Sequence, residues 1–190
     1  LNDELTLTMQ PAAASRIALR CDRSDLAVDR TNLVYRAAEL VLARVDQAIE
    51  LSISLTKRIP MGAGLGGGSS NAAATILGLN RLLGLGWSIE RMAEVGQQLG
   101  SDVPFFFLAP AACVTGRGEQ VRPMQVTGER WIVLVNPGFP VATKWAYQQL
   151  AAARSGVHPL SPAILDLNRR TAVDWSDVVP MVENDFEAPV

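Results

Sequence analysis

Histidine and cysteine are nearly absent from this sequence. His158 is the sole histidine, in a Pro-flanked stretch where a solvated side chain is expected. Cys21 and Cys113 lie far apart and lack the paired spacing of a metal site or a disulfide framework. A reducing compartment is the simplest expectation. Long apolar runs are missing as well, since none approaches the roughly 20 residues of a membrane span. The start, Leu1-Asn2-Asp3-Glu4, has neither the basic nor the apolar region of a secretion signal. No charge of one sign dominates. With 17 Lys and Arg against 19 Asp and Glu, the formal net charge is −2, so nothing draws the chain generally to nucleic acid or to an anionic membrane. Any anion it holds must be bound locally.

What is present is apolar material. Of 190 residues, 48% are hydrophobic and 19% charged, enough for a sizeable core in one large domain or two small lobes. Leu5 to Met9 and then Ile17, Leu19 and Cys21 alternate with polar neighbours as strands do. Thr31 or Asn32 can cap a helix in which Leu33, Ala37, Leu40, Val41 and Val45 recur at helical spacing. The period then returns to two over Ile49, Leu51, Ile53 and Leu55, a strand with one buried face that ends at Pro60. Helices are expected from about Ser70 to Leu83 and from Ser88 to Leu99, with Gly100 as the residue that closes the second. Strands are expected over Ala112–Thr115, Gln120–Val126 and Trp131–Asn136, then a helix over Thr143–Arg154 and a loop over Ser155–Pro162. Helices mixed with antiparallel-type strands, without regular alternation, indicate an α+β fold.

Between Gly62 and Gly68, five of seven residues are glycine, one third of the 15 in the chain. Glycine permits positive φ and lets backbone N–H groups approach a ligand, and the helix that follows offers unpaired N–H groups and the positive end of its dipole. Ser69, Ser70 and Asn71 add hydroxyl and amide groups there. From Pro60 to Ile89 the only charged residue is Arg81, so no carboxylate repels a polyphosphate, and Lys57 and Arg58 stand just upstream. A flexible linker would not enter an Ala- and Leu-rich helix so abruptly. Gly62-x-Gly64-x-x-Gly67 fits the dinucleotide fingerprint formally, but Leu82-Leu83-Gly84 stands where the ribose-binding acid belongs. Gly62-x-x-x-x-Gly67 begins like a Walker A loop, but Gly68-Ser69 replaces the required Lys-Ser/Thr. A third kind of phosphate loop remains.

The run Pro60-Met61-Gly62-Ala63-Gly64-Leu65-Gly66-Gly67-Gly68-Ser69-Ser70-Asn71-Ala72-Ala73-Ala74 closely resembles the nucleotide-binding motif of the GHMP kinases. The resemblance implies the GHMP kinase fold, with a ribosomal protein S5 domain 2-like N-terminal lobe over residues 1–128 and part of the C-terminal α/β lobe over 129–190. It implies ATP, with Mg²⁺ bridging phosphate oxygens. Lys57, Pro60, Gly62, Gly64, Leu65, Gly66, Gly67, Gly68, Ser69, Ser70 and Asn71 would surround the nucleotide.

Within the superfamily, Lys57-Arg58-Ile59-Pro60, Leu99-Gly100-Ser101-Asp102-Val103-Pro104-Phe105-Phe106 and Gly116-Arg117-Gly118-Glu119 are similar to one branch. That branch phosphorylates the 2-hydroxyl of 4-diphosphocytidyl-2-C-methyl-D-erythritol, on the non-mevalonate route to isoprenoid precursors, in the bacterial cytoplasm or the plastid stroma. The implied partner is this cytidyl diphosphate substrate, with no nucleic acid or membrane. Asp102 matches the catalytic aspartate. Its neighbours Val103, Pro104 and three phenylalanines suggest apolar surroundings; the residues alone favour a helix cap, with a salt-bridged acid also open, and only the resemblance turns the preference to catalysis. Tyr147, with Trp145 as the alternative, matches the aromatic that stacks on cytosine. A homoserine or mevalonate type of GHMP kinase and a non-catalytic nucleotide-binding homologue stay open as alternatives.

Three features of the resembled pattern are missing: an early Pro-Ala-Lys-Ile-Asn segment, a nearby cytosine-reading His, and a Gly/Ser-rich turn of the C-terminal lobe. His158 does not match the missing histidine. The expectation is therefore that these 190 residues are the middle of an enzyme and have little kinase activity by themselves.

Overall fold

The computed structural model describes residues 1–116, 118, 120–136, 138–139, 141–153 and 162–187. It divides into two units, one of Leu1–Met61, Leu65–Pro110 and Val114–Val121, the other of Gly62–Gly64, Ala111–Cys113 and Arg122–Val190. Helices and strands mix in it as an α+β fold requires.

In the first unit, three alternating segments form strands β1 (Glu4–Pro11), β2 (Arg16–Cys21) and β3 (Ile49–Thr56). They make one sheet in the order β1-β3-β2, with β1 antiparallel and β2 parallel to β3. Leu7 and Leu19 both lie level with Ile53. The period-two pattern of β3 is realised strictly: Ile49, Leu51, Ile53 and Leu55 are buried while Glu50, Ser52 and Ser54 face solvent. Each of those four aliphatic side chains contributes about 1.5–3 kcal/mol by leaving water.

Helix α1 (Leu33–Leu42) carries the chain from β2 to β3. Asn32 caps it, accepting from the Val34 N–H at 2.9 Å and donating to the Ala27 carbonyl at 2.7 Å, and Val34, Ala37, Ala38 and Val41 face the core. Val45, expected in this helix, lies beyond its end. Helix α2 (Gly67–Leu82) starts three residues before the expected Ser70, because Gly66 takes a left-handed conformation (φ 66°) and serves as its N-cap. Ala72, Ala73, Ile76 and Leu79 present its buried face.

Ser88 caps α3 (Ile89–Gln97), its hydroxyl accepting from the Arg91 N–H at 3.2 Å. That helix closes on Gln98 rather than on Gly100, since the Leu99 N–H turns back to the Gly96 carbonyl and no left-handed exit is needed. A short helix α4 (Phe105–Leu108) packs against α2 and α3. The buried residues of β2, β3 and the first three helices, with Leu99 and Val103, make one continuous core.

Further along, β4 (Ala112–Thr115) pairs with β5 (Gln120–Pro123). The single strand expected over Gln120–Val126 is broken: Pro123 has no N–H to donate, the Met124 N–H turns to the Ala111 carbonyl, and β6 (Gln125–Thr127) starts afresh. Helix α5 (Thr143–Ala153) and helix α6 (Pro162–Leu167) follow. Strand β7 (Ala172–Asp174) then pairs in parallel with β6, and α7 (Trp175–Val178) runs into a 3₁₀ turn over Val179–Met181.

The expected strand Trp131–Asn136 does not form. No described strand pairs with it, and Trp131, Ile132, Val133, Leu134 and Val135 all stay exposed. Most of the expected loop over Ser155–Pro162, including His158, lies outside the described residues, and Pro162 itself opens α6. No described helix is long and apolar enough to cross a membrane.

Candidate functional site

The glycine run joins the end of β3 to the start of α2. Gly62, Gly64 and Gly66 adopt φ of 67°, 70° and 66°, a region that side-chain-bearing residues rarely enter. A Cβ at Gly64 would meet nothing within 4 Å, so that part of the loop opens to solvent. A Cβ at Gly66 would lie 2.8 Å from Phe106 Cζ, so the Phe106 ring closes against the loop backbone. The Ser70 N–H bonds to the Gly66 carbonyl at 2.9 Å, and by helical geometry the N–H groups of Gly67, Gly68 and Ser69 have no acceptor within α2. Three donors and the positive end of a 16-residue helix are therefore presented where the loop ends. Beside them Leu5, Ile59, Leu65, Ser70, Asn71 and Phe106 help to line a cavity of about 550 Å³.

The polar residues of this end do not all face outward. The Ser70 hydroxyl donates to the Gly67 carbonyl at 2.9 Å, and Asn71 is buried. Lys57, expected near a nucleotide, lies beneath the loop, with its Nζ 3.2 Å from where a Gly67 Cβ would be. Its side chain is 5% exposed and forms an ion pair with Asp3, itself 2% exposed.

Asp3 is the residue that sequence reasoning missed. One of its oxygens accepts from the backbone N–H groups of Arg58 (2.7 Å) and Ile59 (2.8 Å), the other from Lys57 Nζ and from Asn71 Nδ2 (2.9 Å). Burial works to raise its pKa, but the bonds from Lys57, Ile59, Arg58 and Asn71 together outweigh this and hold it below its ordinary value. Nothing local signals the contact, because Lys57 stands 54 residues away.

Asp102 occupies the turn between α3 and α4. It is exposed, contrary to the apolar setting that its neighbours suggest. Val103 takes the interior position, fully buried, and a Cβ on Gly96 would lie 2.7 Å from Val103 Cγ1. Nor is Asp102 the helix cap, since Pro104 holds that position for α4. Ser101 Oγ lies 3.5 Å from Asp102 Oδ1, and a Cβ at Gly118 would come equally close to the same oxygen. The carboxylate is free to meet a hydroxyl from solvent, on a segment whose Phe106 touches the glycine loop. In the other unit, Tyr147 is 60% exposed and meets the Phe186 ring edge-on at 5.1 Å, and Trp145 is 46% exposed.

No group of three or more His, Cys, Asp or Glu side chains able to hold a metal gathers among the described residues. A loop with left-handed glycines that delivers a bare helix N-terminus, with an exposed carboxylate on the turn that leads into the helix of Phe106, suits polyphosphate binding and phosphoryl transfer.

Residues 32–109 match the family described as "GHMP kinases N terminal domain". Over those residues the chain is similar to the GHMP kinases. A relative named 4-diphosphocytidyl-2-C-methyl-D-erythritol kinase, from Geobacter metallireducens, is 40% identical over 187 residues, 98% of this chain and 63% of the relative. One of the same name from a Synechococcus species is 37% identical over 191 residues, 95% of this chain and 62% of the relative. The chain thus spans somewhat less than two thirds of the length of these relatives.

Among solved structures, a 4-(cytidine 5'-diphospho)-2C-methyl-D-erythritol kinase superposes with a TM-score of 0.66 at 32% identity, covering 96% of this chain and 62% of that one. A homoserine kinase from Cytophaga hutchinsonii superposes with a TM-score of 0.59 at 20% identity, covering 95% and 57%, which shows the shared fold. The α+β architecture expected for a GHMP kinase is therefore the one found.

Proposed function

We propose that these residues form the nucleotide-binding part of a kinase that transfers the γ-phosphoryl group of ATP to the 2-hydroxyl of 4-diphosphocytidyl-2-C-methyl-D-erythritol. The observation that carries the reading is the contact of Phe106 with Gly66, which joins the Asp102 segment to the phosphate loop. In this reading the N–H groups of Gly67, Gly68 and Ser69 cradle phosphate oxygens. Gly62, Gly64, Leu65 and Gly66 shape the loop after Pro60, and Ser70 and Asn71 complete the helix end. Lys57 supports the loop from below, its charge balanced by Asp3. Mg²⁺ would travel with the nucleotide, because Pro60 to Ile89 holds no carboxylate to bind it, and would neutralise charge on the phosphates.

Asp102 accepts or orients the proton of the attacking hydroxyl, while transfer depends mainly on positioning and charge stabilisation. Tyr147 offers an exposed ring for stacking on cytosine. The names of the relatives support this substrate over other GHMP acceptors. The test is ADP release by the gene product that carries these 190 residues. Release that requires both ATP and the cytidyl substrate supports the proposal, and release that needs homoserine or mevalonate instead rejects it.

A further inference from the structure

Both ends of the glycine loop are tied to one carboxylate. Ahead of the loop, Arg58 and Ile59 donate backbone N–H groups to Asp3 Oδ1; behind it, Asn71 of the first turns of α2 donates to Oδ2, as does Lys57. We propose that Asp3 is a positioning residue for nucleotide binding, a staple that closes the base of the loop and holds Gly62–Ser69 ready to receive phosphate. The inference rests on the nucleotide-binding reading of that loop.

Three physical points support it. Among the described residues, no hydrogen bond other than those through Asp3 ties the chain before the loop to the helix after it, and the loop's glycines carry high conformational entropy when unpinned. All four partners are donors, so a carboxylate with its two oxygens satisfies them and an amide cannot. Lys57 lies under the N-terminus of α2, where a lone ammonium opposes the helix dipole. Asp3 cancels that charge within the protein and leaves the outward N–H groups for the ligand.

Asp3→Asn turns an amide NH₂ towards donors and strands the buried ammonium, so a stability loss alone would prove nothing about positioning. The decisive comparison is therefore Asp3→Asn made in a Lys57→Met background, where no ammonium is left unpaired. Hydrogen exchange at the amides of residues 62–69 and the Kd for MgAMP-PNP are measured below the melting range on the gene product that carries this chain.

Asp3→Asn is expected to speed exchange in the loop and to weaken analogue binding about tenfold in both backgrounds, with KM for the acceptor substrate unchanged. Loop exchange and affinity that do not respond to Asp3→Asn in the Lys57→Met background would overturn the proposal and assign any effect to the stranded ammonium. If the parent binds no nucleotide while Asp3→Asn still frees the loop, the kinase reading fails and the staple stands.

Discussion

Phe106 and Gly66 exclude a side chain between them: the ring carbon Cζ lies 2.8 Å from where a Cβ on Gly66 would be built. Gly66 also needs its left-handed φ to cap α2 without a side chain. Gly66→Ala must both strain the backbone and displace the ring. The expected cost is about 1–3 kcal/mol of stability. Because Phe106 belongs to the Asp102 segment, nucleotide affinity should fall with it. Chemical denaturation and analogue titration on the same variant check both effects.

Asp102→Asn preserves shape and removes the proton acceptor. Turnover should fall by at least about 10²-fold, the lower range of a general-base contribution, while the Kd for an ATP analogue stays within about twofold of the parent, a difference of less than 0.5 kcal/mol. Because Asp102 is exposed, its loss should leave the melting temperature nearly unchanged. A variant with full turnover would remove Asp102 from the mechanism.

A pH effect is expected at the far end of the chain. Asp174 caps α7, accepting from the Ser176 N–H at 2.9 Å, the Ser176 hydroxyl at 2.8 Å and the Thr127 hydroxyl at 2.9 Å. Those bonds, led by the Ser176 N–H, lower its carboxyl from 3.8 to about 2. The folded pKa lies below the unfolded one, so the stability this cap supplies is complete above the unfolded value and disappears as pH falls towards about 2. Carboxyl NMR titration should place Asp174 well under the ordinary aspartate value of 3.8. A midpoint near 4 would contradict the cap as described.

Tyr147 tests the acceptor side. If its ring stacks on cytosine, Tyr147→Ala should raise KM for the cytidyl substrate about tenfold, in keeping with roughly 1–3 kcal/mol for stacking on a base. KM for ATP should not move. Equal changes in both constants would point to the lost Phe186 contact instead.

Legibility in the sequence followed the range of the interaction involved. The alternation of β3 and the caps at Asn32 and Ser88 depend on neighbours a few residues away, and they appear where the pattern places them. Helix α2 starts three residues before the expected Ser70 because a glycine in the left-handed region can cap a helix within a run that composition alone reads as loop. Trp131–Val135 has the apolar content of a strand, yet a strand exists only with a partner, and none of the described strands pairs with it. The composition of the phosphate loop was plain, whereas its support by Asp3 was not. That support joins residues 54 to 68 positions apart and leaves no local period. The exposure of Asp102 was hidden for a related reason: its apolar neighbours pack inward and leave the carboxylate outside.

The central claim concerns one bond, from the γ-phosphorus of ATP to a single acceptor oxygen. Phosphorus-31 NMR of the product, made by the gene product carrying these residues from MgATP and 4-diphosphocytidyl-2-C-methyl-D-erythritol, reads that bond directly. The account predicts a new phosphomonoester on the 2-oxygen, formed in step with ADP. ADP formed without that phosphomonoester, or a phosphoryl group found on homoserine or mevalonate when these are offered together, would contradict it.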